Sequence, residues 1–87
     1  MYLHLGQNIV VPKESIVGIF DLDNSSYSKI TRDFLSSAEK NGSLINISED
    51  IPRSFIICND KGKTQRIYLS QLSSNTLLKR SETKQLF

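Results

Sequence analysis

The first quarter of the chain consists of short apolar runs separated by turn-forming residues, a pattern typical of β-strands. Residues 2–5 form one run that stops at Gly6, and residues 8–11 form another whose pairing should end at Pro12. Residues 15–22 are nearly continuously apolar, which predicts a strand covered on both faces. Gly18 within that run indicates a bulge or a close approach of another group to the backbone.

A single apolar stripe with a 3.6-residue period predicts a helix after these strands. The members of the stripe are Tyr27, Ile30, Phe34, Leu35 and Ala38. Ser26 is the expected N-cap, because its hydroxyl can accept a hydrogen bond from a free amide of the first turn. Asn41-Gly42 is the expected C-cap, since glycine adopts positive φ without strain.

The second half of the chain predicts further strands and a second helix. Residues 44–47 suit a short strand, residues 54–58 a central strand, and residues 64–70 its partner across a turn at 59–63. A helix should begin near Ser73, with basic residues towards its end. Because strands lie before and after one helix, the pattern predicts an α+β fold: a small antiparallel sheet of about five short strands with two helices.

Length and charge narrow the range of functions. The 87 residues allow one domain, 1–87, with one core. Residues 1–50 carry four Lys/Arg and seven Asp/Glu, whereas residues 51–87 carry seven and two. This asymmetry favours an anionic partner, although mixed charge also keeps a small surface soluble. With no long apolar stretch and no secretory leader pattern, we expect a cytoplasmic protein without a membrane partner.

Few residues are suited to catalysis. His4, the only histidine, should point to solvent from an edge strand. Cys58, the only cysteine, lies in an apolar run and should be buried, and a lone thiol suits a reducing compartment. Asp21 and Asp23 are better explained by turn formation than by acid–base chemistry. We therefore expect no enzymatic activity, no metal, no cofactor and no small-molecule substrate.

Basic residues are the remaining candidates for function. They belong to the predicted hairpin and the last helix: Arg53, Lys61, Lys63, Arg66, Lys79, Arg80 and Lys84. They can form a surface that contacts phosphates, or they can simply solvate turns and a helix end. One copy would bind DNA weakly, because affinity grows with each phosphate neutralised, but an oligomer would repeat the surface.

Segments along nearly the whole chain resemble the RemA/RemB family of bacterial extracellular-matrix regulators, and RemB-type members more than RemA-type members. The segments, in order, are residues 2–11 (YLHLGQNIVV), 16–22 (IVGIFDL), 28–30 (SKI), 52–57 (PRSFII) and 67–80 (IYLSQLSSNTLLKR). No one segment is decisive, but their order and spacing together are specific.

The resemblance implies a fold related to LytTR DNA-binding domains. It also implies a transcriptional regulator of biofilm matrix genes that binds double-stranded DNA and assembles into a homo-oligomer, such as the ring formed by RemA. Binding would be mainly to phosphates and groove shape. Arg53 is the first candidate contact because it alone matches a family arginine, and the full order is Arg53, Arg66, Lys79, Arg80 and Lys13.

The chain departs from RemA-type members in two places. Those members carry an arginine after the second strand and a run of arginines before the central strand. This chain has Lys13-Glu14-Ser15 at the first place, and Glu49 and Asp50 precede Arg53 at the second. Carboxylates repel phosphate. They favour an alternative function, a protein-interaction module or accessory regulator that does not itself bind DNA.

Overall fold

The computed structural model describes residues 1–22, 28–60 and 64–82, and within them it contains six strands and two helices. In chain order these are β1 (Tyr2–Gly6), β2 (Ile9–Pro12), β3 (Ile16–Asp21), α1 (Lys29–Lys40), β4 (Leu44–Asn46), β5 (Ser54–Asp60), β6 (Thr64–Ser70) and α2 (Ser74–Glu82). A short 3₁₀ turn, Lys13–Ser15, joins β2 to β3. The predicted α+β class is confirmed.

The strands form two sheets, so the prediction of one antiparallel sheet of about five strands is wrong. β1 and β2 form a separate antiparallel hairpin, and the larger sheet has the order β3-β5-β6-β4. β4 runs parallel to β6, which makes the larger sheet mixed. The physical reason is that the hairpin buries its apolar side chains across the face of the larger sheet instead of extending its edge.

Two apolar clusters lie on opposite faces of the larger sheet. On one face, the hairpin and α2 cover Ile56, Cys58 and Tyr68. On the other face, α1 packs against Phe55 and Ile67. Alternate residues of β5 and β6 therefore enter different clusters, as the two-residue period of a strand requires. The hairpin with α2, the sheet, and α1 form three successive layers.

β3 is an edge strand, and the prediction that both its faces are covered is wrong. Val17 is 65% exposed and Phe20 is 43% exposed. The register between β3 and β5 shifts between Ile16 and Gly18, which confirms the predicted bulge. α1 contacts β4 at the far edge of the sheet, so it leaves these side chains of β3 uncovered.

α1 begins later than predicted and ends as predicted. The amide of Thr31 donates to Oγ of Ser28 at 3.2 Å, so Ser28 is the N-cap. The predicted cap Ser26 lies, with Tyr27, outside the described residues. Asn41 is the C-cap, and Gly42 has φ of +83°. Ile30, expected in the buried stripe, is 80% exposed because α1 meets the core only through later residues.

α2 begins at Ser74, close to the predicted start. The amide of Thr76 donates to Oγ of Ser73 at 3.1 Å, which makes Ser73 the capping residue. Leu77 is fully buried and anchors α2 to the hairpin side of the sheet. In the described part of the chain, neither helix has the length and apolar character needed to cross a membrane.

Candidate nucleic-acid interface

The two ends of the larger sheet carry different sets of charged residues. At one end, which we call the Arg53 end, β5 begins and Ser54 pairs with both Asp21 and Ser70. At the other, the Arg66 end, Cys58 pairs with both Ile16 and Arg66. Because a strand rises about 3.3 Å per residue, Arg53 and Cys58 are about 17 Å apart.

Lys13 joins the 3₁₀ turn to the last turn of α2. Its ammonium Nζ donates to the carbonyl oxygen of Ser81 at 2.9 Å, and its amide donates to the carbonyl of Met1 at 2.8 Å. The last carbonyls of a helix lack intrahelical donors and carry partial negative charge. Lys13 therefore stabilises this helix end, and its side chain is half-buried there.

Arg80 joins α2 to β1. Its Nη1 donates to the carbonyl oxygen of His4 at 3.2 Å, while the residue stays exposed. The imidazole Nε2 of His4 donates in turn to the carbonyl of Gln7 at 2.6 Å, and His4 is exposed, as predicted. Lys79 precedes Arg80 on the same helix and is also exposed. We call Lys13, which bonds to the last turn of α2, together with Lys79 and Arg80 of that helix, the α2 cluster.

Arg66 lies at the mouth of a cleft of about 90 Å³. It is exposed on β6, as predicted. The cleft is lined by Val11, Pro12, Ser15, Cys58, Thr64, Arg66 and Tyr68. Pro12 and Ser15 flank Lys13 and its neighbour Glu14 in the chain, so the cleft adjoins the α2 cluster. Of the five predicted contacts, Arg66 therefore lines the cleft and Lys13 lies beside it.

Cys58 forms part of the cleft wall, and its burial confirms the sequence prediction. Burial raises the pKa of the Cys58 thiol above its ordinary value of 9.0. A hydrogen bond with the Ser15 side chain and the positive charge of Arg66 partly offset this increase in the thiol pKa. The thiol is therefore protonated near neutral pH.

Arg53 lies at the opposite end of the sheet from Arg66. It is exposed at the start of β5, where its amide donates to the carbonyl of Ser70 at 2.8 Å. Exposed carboxylates share this end of the sheet, at Asp21, Glu49 and Asp50. Acids are not confined to this end, because Glu14 beside Lys13 and Glu82 at the end of α2 are exposed as well. Lys61, Lys63 and Lys84, the other predicted cations, lie outside the described residues.

Sequence reasoning missed the exposure of Ile51 and the existence of the cleft. Ile51 is 86% exposed in the loop before β5. An isoleucine between an acidic pair and a proline is a weak signal of exposure, whereas the cleft joins residues from four segments and has no local signal. Among residues 1–22, 28–60 and 64–82, no three His, Cys, Asp or Glu side chains are close enough to hold a metal ion.

Comparison with known proteins gives two consistent matches. Residues 2–80 match the model of a family described as extracellular matrix regulatory protein A-like, or RemA-like. The chain is also 37% identical over 82 residues to extracellular matrix regulatory protein B of Bacillus subtilis (strain 168), covering 94% of this chain and 91% of that protein. Both matches run through the hairpin, the larger sheet and α2. The chain therefore belongs to the RemA-like family of extracellular matrix regulatory proteins.

Proposed function

We propose that the protein is a cytoplasmic transcriptional regulator of biofilm matrix genes that binds double-stranded DNA as a homo-oligomer, with residues 1–87 acting as one domain. Family membership supports a role in matrix regulation. The observation that supports DNA binding is the α2 cluster: the Lys13 ammonium bonds to the last turn of α2, the helix that also carries the exposed Lys79 and Arg80. A relationship to the LytTR fold is part of the same proposal.

The contacts would be to phosphates rather than to base edges. Lysine and arginine side chains neutralise phosphates and release counterions regardless of sequence. One copy supplies few such contacts, so useful affinity requires that an oligomer present the α2 cluster repeatedly along the duplex. Two cations of the cluster already hydrogen-bond to backbone carbonyls, which fixes them in place before DNA arrives.

Lys79→Ala is the substitution that tests this surface most cleanly. Lys79 is exposed on the cluster, and its replacement by alanine preserves helix propensity. We expect wild-type binding to a labelled AT-rich promoter duplex to fall by orders of magnitude between about 50 and 200 mM salt. The Lys79→Ala variant should bind more weakly at both salt concentrations. Its salt slope should be shallower by about 0.9 for each phosphate that is no longer neutralised.

Lys29→Ala is the matched control. Lys29 lies on α1, on the opposite face of the sheet, where it pairs with Asp33 at 3.0 Å. Its replacement should leave the binding isotherm unchanged. Equal weakening by both substitutions would show that the α2 cluster is not the contact surface, and no binding at either salt concentration would refute the DNA-binding proposal.

Arg53 requires its own test because it lies at the other end of the sheet. The distance of about 17 Å to Cys58 is about half a helical turn of B-DNA, so one duplex can reach both ends. If one duplex does reach both ends, Arg53→Ala and Lys79→Ala should each weaken DNA binding, and the double variant should show the sum of the two effects. An unchanged isotherm for Arg53→Ala removes Arg53 from the interface and leaves the α2 cluster as the proposed surface.

The second candidate function is an accessory module that binds a protein instead of DNA. The exposed Glu49 and Asp50 beside the exposed Ile51 favour it, since acidic side chains repel phosphate while an exposed apolar side chain suits a protein surface. A stoichiometric protein partner that remains bound to the immobilised chain after nuclease treatment would support this function. Its absence, with salt-sensitive DNA binding present, would eliminate it.

A further inference from the structure

Ile51 projects from a loop that is anchored at both of its ends. The amide of Ile47 donates to the carbonyl of Leu69 at 3.1 Å, and the amide of Arg53 donates to the carbonyl of Ser70 at 2.8 Å. Between these bonds, Ile51 exposes 86% of its surface. Ile51 is the most exposed of the large apolar side chains in the described residues, and the two anchors fix the position from which it can contact a second molecule.

The cleft at the Arg66 end has the size and chemistry to receive such a side chain. Its volume is about 90 Å³, and Val11, Pro12 and Tyr68 supply apolar walls. An apolar protein cavity of about 150 Å³ can hold benzene, so this smaller cleft suits a branched aliphatic side chain. The uncharged thiol of Cys58 adds no ionised group to the wall.

Charge complementarity accompanies the match in size. Glu49 and Asp50, which immediately precede Ile51, are exposed acids. Arg66 lines the cleft and is an exposed base. Insertion of Ile51 would bring carboxylates towards this guanidinium, whereas a basic or neutral loop would gain nothing from it.

We propose that Ile51 of one copy inserts into the Arg66 cleft of a second copy, with Asp50 and Glu49 facing Arg66. The loop and the cleft lie at opposite ends of the same sheet, so a molecule cannot fill its own cleft. The contact is heterologous, joining two different surfaces, and each added copy leaves a new loop and a new cleft free. This inference rests on the self-association in the proposed function and identifies its interface.

A cysteine cross-link tests the contact directly, since Cys58 is the only cysteine of the chain. In Ile51→Cys, each copy carries one thiol on the loop and one in the cleft. Mild oxidation should therefore produce a ladder of disulfide-linked multimers on a non-reducing gel. The double variant Ile51→Cys/Cys58→Ala has one thiol per copy, so it should form no disulfide-linked species larger than a dimer. Ile30→Cys, at an isoleucine exposed to a similar extent on α1, should give no ladder above the wild-type background.

Sedimentation equilibrium supplies a second measurement that does not depend on disulfide geometry. Ile51→Ser should weaken self-association at least tenfold, about 1.4 kcal/mol, while Ile30→Ser should leave it unchanged. Asp50→Lys and Arg66→Glu should each weaken it, and the double variant should recover part of the loss, because the swapped charges meet again across the contact.

Two results would overturn the proposal. One is a wild-type chain that stays monomeric at high concentration, which would leave the loop and cleft for segments of other proteins. The other is an Ile51→Ser variant that associates as tightly as wild type. These measurements contain no DNA, so a chain that associates but fails to bind a duplex refutes the proposed function alone. A chain that binds DNA with unaltered association in Ile51→Ser refutes this interface alone.

Discussion

At the scale of single residues, Gly18 and Phe20 on the edge strand β3 depend on each other. A Cβ atom on Gly18 would lie 2.7 Å from the Cε2 and Cζ atoms of the Phe20 ring. That ring stacks on Phe55, with centroids 4.9 Å apart and planes 17° from parallel. Because Gly18 has no side chain, the Phe20 ring can lie flat over it at the exposed edge of the sheet. The packing of this ring compensates for the side-chain contacts that glycine cannot make.

The Gly18→Ala substitution should lower the free energy of unfolding by about 1 kcal/mol, because the new methyl group displaces the Phe20 ring from a stack worth about 0.5–1.5 kcal/mol. Urea unfolding measures this change. In a Phe20→Ala background the same substitution should be neutral or slightly stabilising, since alanine restricts the unfolded chain. An equal penalty in both backgrounds would show that the ring is not the cause.

Gly42→Ala is the control for a purely conformational effect. Gly42 has φ of +83°, and a Cβ atom added at this position would have no other atom within 4 Å. Its replacement should cost about 1 kcal/mol through backbone strain. Because no ring is involved, that cost should be the same with and without Phe20.

At the scale of elements, α2 is a short helix held by side chains at both ends. Ser73 caps its start, and Lys13 reaches the carbonyl of Ser81 at its end from a distant part of the chain. Arg80 adds the bond to β1. A nine-residue helix is too short to be stable alone in water, so these contacts and the burial of Leu77 maintain it.

Lys13→Met should loosen the last turn of α2 while preserving the apolar stem of the side chain. We expect about 1 kcal/mol of destabilisation, the usual net value of one hydrogen bond, and faster amide hydrogen exchange in that turn. Lys29→Met, which removes an exposed ion pair on α1 worth about 0.3–0.5 kcal/mol, is the control. Unchanged exchange at the end of α2 would contradict the role assigned to Lys13.

At the scale of the whole molecule, two buried serines connect the hairpin, the larger sheet and α2. Oγ of Ser70 donates to the carbonyl of Leu5 at 2.6 Å and accepts from the amide of Leu72 at 3.0 Å. Oγ of Ser54 donates to the carbonyl of Leu72 at 2.8 Å. Both serines are fully buried, so each hydroxyl satisfies backbone groups that water cannot reach.

Ser70→Ala should therefore destabilise the protein by about 2 kcal/mol, because it leaves a buried carbonyl and an amide without partners. Thermal or urea unfolding checks the value, with Ser37→Ala, an exposed site on α1, as a control expected within about 0.5 kcal/mol of wild type. A cost no larger than that of the control would mean that the two layers are held by apolar packing alone.

The elements and several of their ends, though not the start of α1, followed from local signals. Alternating or continuous apolar runs identified all six strands, and the predicted caps near Asn41 and Ser73 are confirmed because capping depends on residues close in sequence. Burial of Cys58 followed from its continuous apolar run, and exposure of His4 and Arg66 followed from strand alternation. The family likewise followed from the order of short segments along the chain.

Only the tertiary structure decided how these elements assemble and which charges meet. An apolar run cannot indicate whether a strand extends a sheet or crosses its face, so the separate hairpin and the parallel pairing of β4 were not foreseen. The grouping of Lys13 with Arg80, more than sixty residues apart, depends on how α2 docks. Local sequence thus determined periodicity and capping, whereas long-range packing determined topology, the burial of the two serines and the formation of the cleft.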